Sequence, residues 1–557
     1  MKSLMVWIET LFRGIFTDWV VEFKDSTDVT GVVDEILADG QKQLKAQRAA
    51  EKKRALEASN TPTLSLPSVK DGCIYFGDKA YPIDSIQGFF GFLGITGSGK
   101  TKLIKIMLGS ILRLMTQESK IGTLLFDLKG DLHEVIVASG KPYKFFCLGD
   151  ARSCVWDIAK DCTTPNRAFQ LVSILLPEQK ASDMFWQNGA RAIAIGILLV
   201  FMFKHGDDWG FDDFVNAAFL DREEMKRFLL RFEGNKPLVN MLFQAEDNRV
   251  TQGILSQLYS QIKAIEPAAA HTQQGKSRFS IGEFLSSNER YNLILSTEQT
   301  AEEASTSILR AIFRSFVDHV SDLPDDPEQT TFLILEESYF LGKMPGLDRL
   351  FSFARSKNVI GLLALQAKEG FDELYGAKIS NLILGMFYYI AVLKSTPETA
   401  KYISSLFGTK EYFDTTSSIS FGQGGASGGT QGQRYQRLEY LDSEFTNLPL
   451  PSRETGMEGY FVTPKDMCRK NIRGEVIEYL QPPTVKVQKY IPLPAECQVL
   501  RLWSENEKRK YILGEEQVEE KETVYIPKTY EEVIGVEVFN FFADVIEQFF
   551  EGYKGED

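Results

Sequence analysis

Apolar residues in the first 23 positions recur at helical spacing. Leu4, Ile8, Leu11, Ile15 and Trp19 form one stripe, and Met5, Phe12 and Phe16 widen it. The pattern predicts an amphipathic helix that packs on the body of the protein, or lies on a membrane surface or another subunit. From Asp39 to Asn60 the chain is charged and alanine-rich, with Lys42, Lys45, Arg48, Lys52, Lys53 and Arg54, which predicts a solvated helix. Residues 1–60 therefore read as an N-terminal helical segment, followed by the linker TPTLSLPS.

Beyond the linker the period changes. CIYFGDKAYPI predicts a hairpin turning at Gly77 and Asp78, GFFGFLGI a short buried strand, and Lys102 to Leu114 the helix after it. Strands follow at Gly122–Phe126 and Tyr143–Cys147, alternating with helices as a mostly parallel α/β sheet requires. Between about Asn166 and Asn288 the pattern is helical, including Ala168–Leu176, Phe185–Phe203 and Asp221–Phe232. Strands resume with YNLILS, TFLILEE, NVIGLLALQ and FYYIAVL, so an all-α insertion at 166–288 divides one α/β domain into 70–165 and 289–465. The glycine-rich FGQGGASGGTQGQ (421–433) is expected to be a flexible loop. Residues 466–557 form a C-terminal extension whose stripe of Phe539, Phe542, Ile546 and Phe549 packs on the core or docks a partner.

Chemistry enters where the first strand ends. Gly94-Ile-Thr-Gly-Ser-Gly99-Lys100-Thr101 fits the phosphate-loop pattern, directly after a strand and before a helix. Gly94, Thr96, Gly97, Ser98 and Gly99 would turn backbone N–H groups towards one point, Lys100 would meet the β/γ-phosphates, and the Thr101 hydroxyl would ligate magnesium. Such a loop works with an acidic strand end, and TFLILEE supplies two carboxylates. Glu336 would hold the metal shell and Glu337 would act on water, against the plain reading of solvated acids. Asp127 in LLFDLKGD ends another strand and could point into the same site. Gln366 ends NVIGLLALQ as a γ-phosphate sensor would, or as a simple polar terminus. Arg355 in FSFARSKN could reach a phosphate in an adjacent subunit, or form a surface salt bridge.

Composition narrows this reading. Hydrophobic residues make up 43% and charged residues 25%, so cores are expected rather than disorder. A net charge of −14 provides no global attraction for nucleic acid or an anionic membrane, so any such contact must be local. Six scattered cysteines and four histidines support neither a disulfide framework nor a zinc site. The longest uncharged apolar run, Ala192 to Phe203, is short of the roughly 20 residues a bilayer needs, and no transmembrane helix is expected.

Taken in order, the phosphate loop, the DLKGD strand end, Asp183-Met-Phe-Trp186, ILEES, LFSFARSKNVIGLLALQ, ELYG and RYQRLEYLDSEFTNLP resemble the type IV coupling proteins. These are hexameric DNA pumps of conjugation and type IV secretion, within the FtsK-HerA group of RecA-like motors. The resemblance spans roughly residues 70–465. It implies a RecA-like P-loop ATPase using ATP and Mg2+, with Lys100 and Thr101 on nucleotide, Glu336 and Glu337 on metal and water, Gln366 as sensor and Arg355 as a trans finger. It also implies a homo-hexamer with DNA in a central channel, and a relaxase or other secretion substrate and channel components as partners. The place of action is the cytoplasm, with peripheral contact to the inner membrane through the N-terminal helix. Two departures stand out: Glu336 replaces the family's usual aspartate, which implies slower hydrolysis, and an interrupted amphipathic segment stands where the family has two membrane-spanning helices. An ATP-dependent receptor for protein substrates and a non-hydrolysing, ATP-binding assembly protein remain as alternatives.

Overall fold

The computed structural model describes residues 70–514, apart from positions 87, 117, 179–183, 244–247, 275–276, 299–301, 326 and 423–424. The helices expected over 1–60, the stripe from Phe539 to Phe549, and Asp183 lie outside the described residues.

Strands β1 (Cys73–Phe76) and β2 (Lys79–Pro82) form the expected hairpin, with Gly77 at φ 66° in its turn. Strand β3 (Phe89–Leu93) runs through the phosphate loop into α1 (Lys100–Leu114). Next come β4 (Ile121–Asp127), α2 (His133–Ser139) and β5 (Tyr143–Cys147). The short strands β6 (Val155–Trp156) and β7 (Arg278–Phe279) then bracket a helical stretch that includes α3 (Met184–His205). Alternation resumes with β8 (Asn292–Ser296), β9 (Thr330–Glu336), β10 (Val359–Leu365) and β11 (Phe387–Val392). Helix α4 (Pro397–Phe407) leads to β12 (Thr409–Gly422) and β13 (Gly425–Leu438), and the sheet is completed by β14 (Met457–Val462) and β15 (Met467–Ile472).

Nine strands form one sheet in the order β15-β14-β11-β3-β10-β9-β4-β8-β5. From β11 to β5 all neighbours are parallel, and β14 and β15 add an antiparallel edge. The central strands read as unbroken apolar runs because both faces are covered. Successive residues serve opposite faces: Phe89 and Leu93 join one core, while Phe90 and Phe92 join the other. The first core continues into the buried face of α3, and the second holds α1 and the β1 strand. Helix α3 is long and apolar enough to span a bilayer, yet 72% of its apolar window is buried inside the fold.

Three sequence expectations change. The stretch 166–288 is not purely helical, since β7 pairs in parallel with β6 at its base. Buried Asp161 ties the two ends, accepting from Trp156 Nε1 (2.6 Å), Ser280 Oγ (2.7 Å) and Ile281 N (2.8 Å). The sheet does not stop at 465, because β15 completes its edge through an unbroken register from Met457↔Ile472 to Val462↔Met467. The glycine-rich segment is no loop. It forms the end of a ribbon in which β12 and β13 pair from Thr409↔Leu438 to Gly422↔Gly425. Tyr412, Phe413, Thr415, Thr416, Ile419 and Phe421 give its first strand the β-branched and aromatic content that favours extension.

Candidate nucleotide site

The site forms at the carboxyl ends of β3, β10, β9 and β4, where an open α/β sheet offers a crevice. The phosphate loop is sewn to its neighbours: Gly94 N donates to Leu365 O (3.1 Å) and Ile95 N to Lys394 O (2.8 Å). Gly99 adopts φ 101° before α1, and a Cβ there would lie 2.5 Å from Met457 Cε. Only glycine satisfies both the left-handed backbone and that close approach.

Lys100 stands at the start of α1, its ammonium donating to the carbonyls of Gly94 and Ile95. Burial pushes its pKa down to about 8; Glu337 and Glu336 oppose that shift, and Lys129 adds to it. Phosphate oxygens would supply the missing countercharge. Beside it, Thr101 Oγ1 donates to Glu336 Oε1 at 2.6 Å.

Glu336 ends β9 and is buried, and its Oε2 has no hydrogen-bond partner. Burial raises its carboxyl to about 7, with Thr101 working against the shift and Asp127 reinforcing it. An unpartnered buried carboxylate oxygen next to a threonine hydroxyl suits a magnesium ion, which keeps most of its shell for phosphate and water. Thr101 and Glu336 would hold that ion, which would neutralise charge on the transferred phosphoryl group.

Glu337 follows in the left-handed region at φ 57°, uncommon for a residue with a side chain. The turn separates the two carboxylates, and Glu337 Oε1 accepts from Gln366 Nε2 (3.3 Å) and from Lys129 Nζ. Gln366 Oε1 in turn accepts from Thr96 Oγ1 (3.1 Å). Gln366 thus bridges the phosphate loop and the Glu337 carboxylate.

Two sequence-predicted residues have other positions. Asp127 pairs with Glu336 across β4 and β9, but its oxygens are taken by Gly130 N (2.9 Å), Leu132 N (2.9 Å) and His133 N (2.7 Å). It braces the turn into α2, with both carboxylate oxygens engaged by backbone amides. Arg355 is exposed just before β10, at the opposite end of that strand from Gln366. Seven strand residues separate them by about 20 Å, so Arg355 does not serve this chain's own phosphate loop.

Lys129 was assigned no role from sequence. It lies inside DLKGD, and the signal was a cation two positions past an acidic strand end, on the strand next to β9.

Residues 74–473 match the family described as the type IV secretion-system coupling protein DNA-binding domain. Among curated relatives, coupling protein TraD of Escherichia coli (strain K12) is 21% identical over 386 residues, covering 67% of this chain and 52% of TraD. The chain thus spans about half the length of that relative. Among solved structures, the unbound bacterial conjugative coupling protein TrwBdeltaN70 matches with a TM-score of 0.57 and 16% identity, over 73% of this chain and 89% of TrwBdeltaN70. Plasmid coupling protein TrwB in complex with ADP and Mg2+ matches with the same score and identity over 76% and 92%. Similarity at that identity establishes a shared fold, and the family match covers most of the sequence. The chain belongs to the type IV secretion-system coupling protein family.

Proposed function

We propose that the protein is an ATP-hydrolysing DNA translocase that works as a six-subunit ring, delivering DNA or a nucleoprotein to a type IV secretion channel at the cytoplasmic face of the inner membrane. Lys100 and the loop amides bind phosphate, Thr101 and Glu336 hold magnesium, and Glu337 orients the attacking water. Gln366 reports the γ-phosphate to Glu337. Arg355 completes the site of the neighbouring subunit, and its position about 20 Å from its own loop favours a contribution in trans. The observation that carries the reading is the unbroken chain from Thr96 through Gln366 to Glu337, next to a carboxylate with one open oxygen.

The test is ATP turnover with and without DNA for the wild type, Lys100→Ala and Arg355→Ala at equal subunit concentration. DNA-stimulated turnover abolished by both changes is expected. Turnover indifferent to DNA points instead to a receptor for protein substrates. Nucleotide binding without turnover points to an assembly protein, in which the direct bond from Thr101 to the longer Glu336 keeps magnesium out of catalytic geometry.

A further inference from the structure

The ribbon β12–β13 is the element whose chemistry the ATPase reading leaves unused. Among the described residues its strands pair only with each other, and all ten residues on its first five rungs, from Thr409↔Leu438 to Phe413↔Arg434, are exposed. Side chains alternate between faces along a strand. Lys410 and Arg437, directly opposed, therefore share a face with the opposed pair Tyr412 and Tyr435. The two tyrosine rings stack with centroids 5.9 Å apart and planes 20° from parallel. On the other face Phe413 is 67% exposed, with Arg434 across from it and Glu411 and Gln436 one pair back.

Large rings left in water mark a contact surface. The chain carries a net charge of −14, yet these rungs set Lys410, Arg434 and Arg437 against Glu411 alone. At the base, Lys410 reaches Glu439 only at 3.9 Å, and Arg434 and Arg437 have no ion pair among the described residues. Set against the same patch of a second copy, these rungs would bring cation against cation. A single nucleic-acid strand brings both things the stem lacks, unstacked base faces for the rings and phosphates for the cations.

We propose that the stem of this ribbon is a binding platform for single-stranded nucleic acid, with bases stacking on Tyr412, Tyr435 and Phe413 and phosphates meeting Lys410, Arg434 and Arg437. This deepens the DNA reading above and rests on it. Stacking is sequence-tolerant, since every base presents a π face, so the platform grips without selecting a sequence.

The test measures binding of fluorescein-labelled oligo-dT, with a blunt duplex as comparison, by anisotropy across a salt series. Tyr412→Ala/Tyr435→Ala is expected to weaken oligo-dT binding at least about tenfold, while Tyr412→Phe/Tyr435→Phe retains it. Arg434→Gln/Arg437→Gln is expected to flatten the salt dependence by roughly 1.4 in logarithmic slope, the value for two phosphate contacts on a single strand. Thermal melting of each variant checks that the body is intact. Wild-type binding with unchanged affinity and slope in both variants overturns the platform and leaves the DNA reading standing. Absence of oligo-dT and duplex binding in the wild type removes both. Variants that change sedimentation but not DNA affinity assign the stem to contact with a second copy and overturn the proposal.

Discussion

Thr101 and Glu336 touch directly: the threonine hydroxyl donates to Oε1 at 2.6 Å while Oε2 lies buried without a partner. On the proposed reading the loop amides and Lys100 hold phosphate without metal, whereas this pair acts only through it. Thr101→Ala should therefore reduce the gain in ADP affinity on adding Mg2+ by at least about tenfold, roughly 1.4 kcal/mol, and leave binding in EDTA nearly unchanged. Calorimetric titration in both buffers checks this; an equal loss in each would assign Thr101 to the phosphates instead.

The same carboxyl makes nucleotide-free stability depend on pH. Its pKa rises from 4.5 to about 7 on folding, so the folded state binds more protons, and the contribution is complete below about pH 4.5 and lost as pH rises through 7. The span corresponds to on the order of 3 kcal/mol. Asp127, raised to about 6 by burial, slopes in the same direction. Thermal melts of the wild type and Glu336→Gln from pH 5 to 8 should converge in acid and separate towards neutrality, with the variant the more stable at pH 7.5. Parallel curves would show that Glu336 titrates normally.

Asp127 serves the fold more than the nucleotide. Replacing it with alanine strands the N–H groups of Gly130, Leu132 and His133, at about 1–3 kcal/mol for each amide left unsatisfied in the buried turn. Asp127→Ala should lower the denaturant midpoint clearly, with Mg2+-free ADP affinity retained in the folded fraction. A stable variant with lost nucleotide affinity would return Asp127 to the site.

Lys129 pairs with the carboxylate that would activate water. The ammonium holds Oε1 of Glu337, and the lysine is half exposed, so the pair is worth no more than about 1 kcal/mol. Lys129→Ala should raise turnover without DNA by up to about fivefold at similar KM, and Lys129→Arg should not. A fall in kcat for Lys129→Ala would instead give the lysine a role in transition-state binding.

Much of this was legible from sequence because the signals were local. β3, β9 and β10 are buried on both faces and read as apolar runs, and the phosphate loop announces itself by spacing. What escaped was set by pairing across the chain. The ribbon's glycines, serines and glutamines match linker composition, and only the opposing strand of the hairpin, paired from Gly422↔Gly425 back to Thr409↔Leu438, makes them a ladder. Strand β15 was missed because its residues MCRKNI lack the apolar run of a central strand, as befits an edge. Asp127 read as a residue that could point into the nucleotide site because an acid at a strand end is the same in sequence whether it turns outward to a ligand or back onto its own loop.

The left-handed backbone at Glu337 affects how the proposed turnover can be stopped for study. A residue held at φ 57° stores conformational energy that the surrounding contacts sustain, and each substitution resets that balance as well as the chemistry. Glycine would relax the bend and detach the side chain from Lys129 and Gln366 together, yielding a sturdier but uncoupled subunit. Glutamine keeps the shape and the same neighbours, so on the proposed reading Glu337→Gln is the change that would hold ATP unhydrolysed while leaving the subunit's architecture as it is.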